Sequence, residues 1–124
     1  MKNSIKLLTV TFAIVLGFTI SSNAQNCVAK DVKLTNGAAT VSGKTGGCTI
    51  YVFSVDGGQR TRIDLRSSDN KAQFDVQDGT EDETGSTFYE NQTKLDKIFR
   101  FDEFTIEVRG TAGATFTLSV KVGN

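Results

Sequence analysis

Phe104-Thr105-Ile106-Glu107-Val108-Arg109 alternates apolar and polar side chains. After Gly110-Thr111-Ala112-Gly113 the alternation resumes as Thr115-Phe116-Thr117-Leu118-Ser119-Val120-Lys121-Val122. A period of two places Phe104, Ile106, Val108, Phe116, Leu118, Val120 and Val122 on one face and the polar residues on the other. A chain that buries one face and wets the other is an antiparallel strand over a core. The glycine-bounded connection predicts that Phe104–Val122 closes as a hairpin.

The same signal recurs upstream. Thr49 to Val55 presents Tyr51, Phe53 and Val55 together, and Asp56-Gly57-Gly58 turns the chain. Gln59 to Ser67 directs Ile63 and Leu65 inward and Arg60, Arg62, Asp64 and Arg66 outward. After Ser68-Asp69-Asn70, the residues Ala72, Phe74 and Val76 alternate with Gln73, Asp75 and Gln77. Nearer the start, Val32 to Thr35 and Ala39 to Ser42 flank Asn36-Gly37, a dipeptide suited to a two-residue hairpin turn. Only Asn91 to Phe101 offers a helical spacing, through Leu95, Ile98 and Phe99, and one helical turn is the alternative to a strand there. Many short strands between turn signals predict an all-β fold. The expected form is a single antiparallel β-sandwich, jelly-roll-like, with one disulfide.

The first residues read as an export signal. Lys2 and Lys6 precede an apolar stretch from Leu7 to Ile20, and Ser21-Ser22-Asn23-Ala24 supplies small residues for cleavage before Gln25. Residues 1–24 are therefore expected to be a signal peptide and residues 25–124 the β-sandwich domain, periplasmic or secreted, with no membrane span after cleavage. Losing Lys2 and Lys6 moves the formal charge of the chain from 0 to −2. A nucleic-acid binder would need a basic excess, so no nucleic-acid partner is expected. Cys27 and Cys48 are the only two cysteines, and in an oxidising compartment they are expected to pair. The bridge would tie the N-terminal segment to the strand beginning near Thr49.

Catalytic chemistry finds little support. The chain has no histidine, which removes the commonest general base and the usual serine and cysteine triads. Carboxylate pairs could cleave glycosides, but a solvated strand face explains the 14 acidic residues equally well. No enzyme is expected, no catalytic residue is assigned, and no metal ligand set is read from the sequence.

Phe53-Ser54-Val55-Asp56-Gly57-Gly58-Gln59, Ile63-Asp64-Leu65 and Phe74-Asp75-Val76 resemble the front half of bacterial pre-peptidase C-terminal domains. Phe104 to Gly110 and Gly113 to Val120 resemble their closing strands, so the likeness spans about Gly43 to Val122. It departs where Asp102-Glu103 stands in place of a glycine, and residues 78–100 do not align with it. The segment Val52 to Leu65 also resembles the periplasmic inhibitors of g-type lysozyme, which share this kind of sandwich. These resemblances imply an exported, non-enzymatic binding protein, with inhibition of a g-type lysozyme as the specific expectation. The alternative is an accessory module that holds a surface, a glycan or calcium.

The expected partner is a protein, and the first-choice contact is the segment Asp78 to Tyr89. It joins Asp78, Glu81, Asp82 and Glu83 to the aromatics Phe88 and Tyr89. Acidic residues would speed encounter with a cationic partner such as a lysozyme, and an exposed aromatic would anchor it. The hard oxygens of Asp78-Gly79-Thr80-Glu81-Asp82-Glu83 would also suit calcium, the one cofactor considered, but the run lacks the spacing of an EF-hand loop. A solvated acidic loop remains the plain reading. The turns Asp56-Gly57-Gly58 and Thr111-Ala112-Gly113 are the next candidates. The row Arg60, Arg62 and Arg66 with Asp64 reads either as a wet sheet face or as a grip for an anion. Asn91-Gln92-Thr93 matches a glycosylation sequon.

Overall fold

The computed structural model describes residues 27–80 and 83–123. The expected signal peptide lies outside the described residues. Nine strands follow in order: β1 (Val28–Val32), β2 (Ala38–Lys44), β3 (Thr49–Ser54), β4 (Gln59–Ser67), β5 (Gln73–Asp78), β6 (Thr87–Gln92), β7 (Lys94–Phe99), β8 (Glu103–Arg109) and β9 (Thr115–Val122). They form a five-stranded sheet, β1-β3-β8-β5-β6, and a four-stranded sheet, β2-β9-β4-β7. Without β1, the orders 3-8-5-6 and 2-9-4-7 are those of a jelly roll, two interlocked Greek keys. β1 is an addition at the edge of the larger sheet. It runs parallel to β3, whereas every other pairing is antiparallel, so the antiparallel expectation fails at that one edge.

The core is built by the alternation read from the sequence. Phe53, Ile63, Leu65, Phe74, Val76, Phe104, Ile106, Val108, Phe116, Leu118 and Val120 are all buried, joined by Tyr51, Ala72, Leu95 and Phe99. Aromatic rings form a continuous chain through it. Phe53 stacks on Phe104 at 4.8 Å, Phe104 meets Phe99 edge-on at 5.0 Å, and Phe99 stacks on Tyr89 at 6.2 Å. Such rings bury large areas and add roughly 0.5–1.5 kcal/mol per well-placed pair beyond burial.

Two expectations about connection need correction, and one open choice is decided. Phe104–Val122 is not a hairpin. β8 lies between β3 and β5 in one sheet, and β9 lies between β2 and β4 in the other. Gly110-Thr111-Ala112-Gly113 therefore arches over the core, and Thr45 packs where a Cβ on Gly110 would stand. The turn at Asn36-Gly37 does form, with φ of 53° and 76° and paired hydrogen bonds between Thr35 and Ala38. Its hairpin ends at that single bridge, because β1 and β2 diverge into opposite sheets. Asn91 to Phe101 contains no helix. It holds the edge strand β7, with Leu95 and Phe99 inward and Ile98 66% exposed.

Cys27 and Cys48 are joined, with Cα atoms 4.6 Å apart. The bridge sets β1 against β3, and the amide of Val28 donates to the carbonyl of Cys48 at 3.0 Å. This is the attachment expected between the N-terminal segment and the strand at Thr49.

Candidate functional site

The jelly-roll order sends alternate loops to opposite ends of the sandwich. The β3–β4, β5–β6 and β7–β8 loops meet at one end. There Val55 N donates to Asp102 O at 2.8 Å, Gly58 N to Phe99 O at 2.7 Å, and Gly79 N to Glu103 O at 2.9 Å. The β2–β3, β4–β5 and β8–β9 loops meet at the other, where Thr45 N donates to Ala114 O at 2.8 Å and Ser68 N to Thr115 O at 2.9 Å.

The first end is acidic and internally braced. Asp78 ends β5 with only 2% of its surface exposed. Its carboxylate accepts the amides of Arg100 at 2.8 Å and Phe101 at 3.2 Å, fixing the β7–β8 loop over the core. Asp102 performs the same service for the neighbouring turn, accepting Gly57 N at 2.9 Å. Gly57 can have no side chain, because a Cβ there would strike the carbonyl of Arg100. Gly79 sits at a φ of 99° against the ring of Phe101, a conformation glycine adopts without strain. Within the β5–β6 loop, Glu83 Oε1 accepts Thr80 N at 2.8 Å and Glu83 N returns to Thr80 O at 3.1 Å. Arg100 is the basic residue of this end. Its guanidinium lies 5.3 Å from the ring centre of Phe101 and reaches the carbonyl of Gly85.

The expected contact residues therefore separate. Asp78 is buried and spends its charge on the backbone. Glu81 and Asp82 lie outside the described residues. Glu83 is half-buried and closes its own turn. Phe88 and Tyr89 point to opposite sides. Tyr89 pairs with Val76 and enters the core beside Phe99, while Phe88 pairs with Gln77 on the outer face and is 59% exposed. A register shift between Phe74 and Val76 accompanies this strand. Asn91 takes a φ of 59° there, and its amide and side chain are held by Asp75 and Arg109. Of the next candidates, Asp56-Gly57-Gly58 shares the acidic end, and Thr111-Ala112-Gly113 lies at the opposite one.

Sequence reading did not group Asp56, Asp102 and Glu103 with the acidic loop. Each stands at a turn or strand start, and only the order of the strands brings those turns together. Among the described residues, no three acidic or cysteine side chains lie close enough to hold a metal ion. No described helix is long and apolar enough to cross a membrane.

No protein-family model matches the chain, and no curated protein matches it by sequence. Solved structures do share its fold. The periplasmic inhibitor of g-type lysozyme PliG from Aeromonas hydrophila matches with a TM-score of 0.61 at 15% identity, over 80% of this chain and 99% of that one. PliG from Salmonella Typhimurium matches with a TM-score of 0.49 at 14% identity, over 77% and 98%. The pre-peptidase C-terminal domain of a Bacillus anthracis collagenase matches with a TM-score of 0.50 at 11% identity, over 82% and 99%. The chain thus has the fold of both groups that its sequence resembles, spanning nearly the whole of each matched structure.

Proposed function

We propose that this chain is an exported, non-enzymatic binding protein that inhibits a g-type lysozyme through the acidic end of its sandwich. The observation that carries the reading is the convergence at that end of three loops that each carry at least one carboxylate. Asp56, Glu83 and Asp102 come from three different loops, Glu103 follows Asp102 at the start of β8, and Glu81 and Asp82 add to them by sequence. A surface with an excess of negative charge raises the encounter rate with a cationic enzyme and holds its register. Phe88, exposed beside Gln77 near that end, supplies the apolar contact that charge alone lacks. The fold shared with a periplasmic lysozyme inhibitor supports the same reading. Residues 1–24 would be removed on export and residues 25–124 would be the working domain.

The test is cell-wall lysis by a g-type lysozyme with and without the purified protein, with a chicken-type lysozyme as control. Selective inhibition at about micromolar concentration is expected, near −8 kcal/mol of binding. Replacing Glu81, Asp82 and Glu83 by Gln should mainly slow association, and Phe88→Ala should mainly hasten dissociation. Lysis unaffected by the wild-type protein would remove the proposal.

A further inference from the structure

The outer face of the four-stranded sheet has the opposite character. Its residues follow from the register. Ala38, Lys121, Arg62 and Asp96 form one rung across all four strands, and Thr40, Ser119, Asp64 and Lys94 form the next. Short side chains at Ala38, Thr40 and Ser119 leave an open depression of about 640 Å³, walled by Arg62, Lys94 and Lys121. That volume falls in the range of ligand sites, roughly 300–1,000 Å³.

The charges in this depression are unbalanced. Asp96 is committed to Arg60, whose guanidinium grips it at 2.7 and 2.6 Å and holds its carboxyl below the usual carboxylate range. Asp64 leans towards Arg66 at 3.9 Å. Among the described residues, Arg62, Lys94 and Lys121 have no ion-pair partner. Arg62 and Lys121 moreover stand directly opposite each other on adjacent strands. Like charges in that relation destabilise a sheet. Asp96 on the other side of Arg62, and Asp64 opposite Lys94, offset part of this repulsion and leave Lys121 with no acidic residue opposite it on either adjacent strand.

We propose that this depression binds a segment of an anionic polysaccharide. The three cations would pair with carboxylate or sulfate groups, and the exposed hydroxyls of Thr40 and Ser119 would exchange hydrogen bonds with sugar hydroxyls. The other polyanions fit less well. An acidic peptide that added a strand would pair along the outer edge of β2 or β7 and leave the face between them, over β9 and β4, uncovered. Among the described residues the face offers a peptide one exposed large apolar side chain, Ile98, at its edge. A single-stranded nucleic acid would want aromatic platforms for its bases, and no aromatic side chain lies on this face among the described residues. The depression is separate from the acidic end, so failure of lysozyme inhibition would leave this proposal standing.

The test is calorimetric titration of the purified protein with oligogalacturonate, a neutral cello-oligosaccharide of equal length, polyglutamate and oligo-dT. Saturable binding of oligogalacturonate is expected at about 50 mM salt and should weaken steeply by about 200 mM, as exposed charges are screened. The double variant Arg62→Ser/Lys121→Ser should bind about tenfold more weakly. Its melting temperature should hold, since relief of the like-charge pair offsets the lost attraction between Arg62 and Asp96, which separates loss of a ligand contact from loss of fold. Lys30→Ser, on β1 of the other sheet, should change nothing. Binding unaffected by the double variant, absent at low salt, or equally tight for the neutral sugar, polyglutamate or oligo-dT would overturn the proposal.

Discussion

The two ends of the sandwich are closed by different means. At the neutral end, Cys48 carries the disulfide, and Thr45, 5% exposed, bridges to the β8–β9 loop. The Thr45 hydroxyl donates to the carbonyl of Thr111, and its own carbonyl accepts Gly113 N at 3.1 Å. At the acidic end no covalent link exists among the described residues, and a buried carboxylate, Asp78, organises the loops. One end is fastened by a bond and a neutral hydroxyl, the other by a charge that must find donors inside the protein. A buried charge that is satisfied fixes geometry firmly, but it tolerates no loss of its partners. The acidic end thus depends on one buried carboxylate where the other depends on one covalent bridge.

Reduction of Cys27–Cys48 should have the largest effect on this contrast. The bridge closes a loop with a sequence separation of 21. In the chain-entropy account such a loop is worth about 3 kcal/mol, a fall in melting temperature of very roughly 12–24 °C for a domain of this size. Thermal denaturation with and without reductant measures it, and free thiols in the oxidised protein would contradict the pairing. Asp78→Ala comes next. It strands two amides that now receive charge-assisted bonds, costing about 2 kcal/mol or roughly 8–16 °C. Hydrogen exchange should show the Arg100 and Phe101 amides losing protection while the amides around Thr45 keep theirs. Equal loss at both ends would mean that the ends are not independent. Thr45→Val should have the smallest effect. It keeps the backbone bonds of Thr45 and removes one hydroxyl, for about 1 kcal/mol or roughly 4–8 °C in the same melting experiment. A larger fall than for Asp78→Ala would reverse the contrast.

Which residues are inside was legible in the sequence, and which strands are neighbours was not. Alternation at Phe104–Val108 and Phe116–Val120 fixes a face, because parity alone decides it. It says nothing about whether the next strand lies in the same sheet or the opposite one, and Gly110-Thr111-Ala112-Gly113 can serve as either connection. Leu95 and Phe99 left helix and strand undecided for a related reason. A separation of four residues satisfies both the helical and the extended period, so only Ile98, which points out at 66% exposure, separates the two. Asp78 carried a readable signal that its acidic neighbours obscured. It continues the inward row of Ala72, Phe74 and Val76, so parity alone would have buried it. The cationic depression is a property of register. Arg62 was visible as part of an outward row, but its alignment with Lys121 depends on how β9 slots beside β4.

The central place of β9 has a consequence in time. The four-stranded sheet is held together through Thr115–Val122, which separates β2 from β4. The larger sheet likewise depends on β8 to join β3 to β5. Neither sheet can assemble while synthesis is still short of these strands, and at about 5–20 residues per second that interval lasts roughly ten seconds. Pairings between distant segments also form slowly once the strands are present. Throughout that interval neither sheet is complete, so the nascent polypeptide carries no closed sandwich that would have to be undone before it passed through a narrow pore.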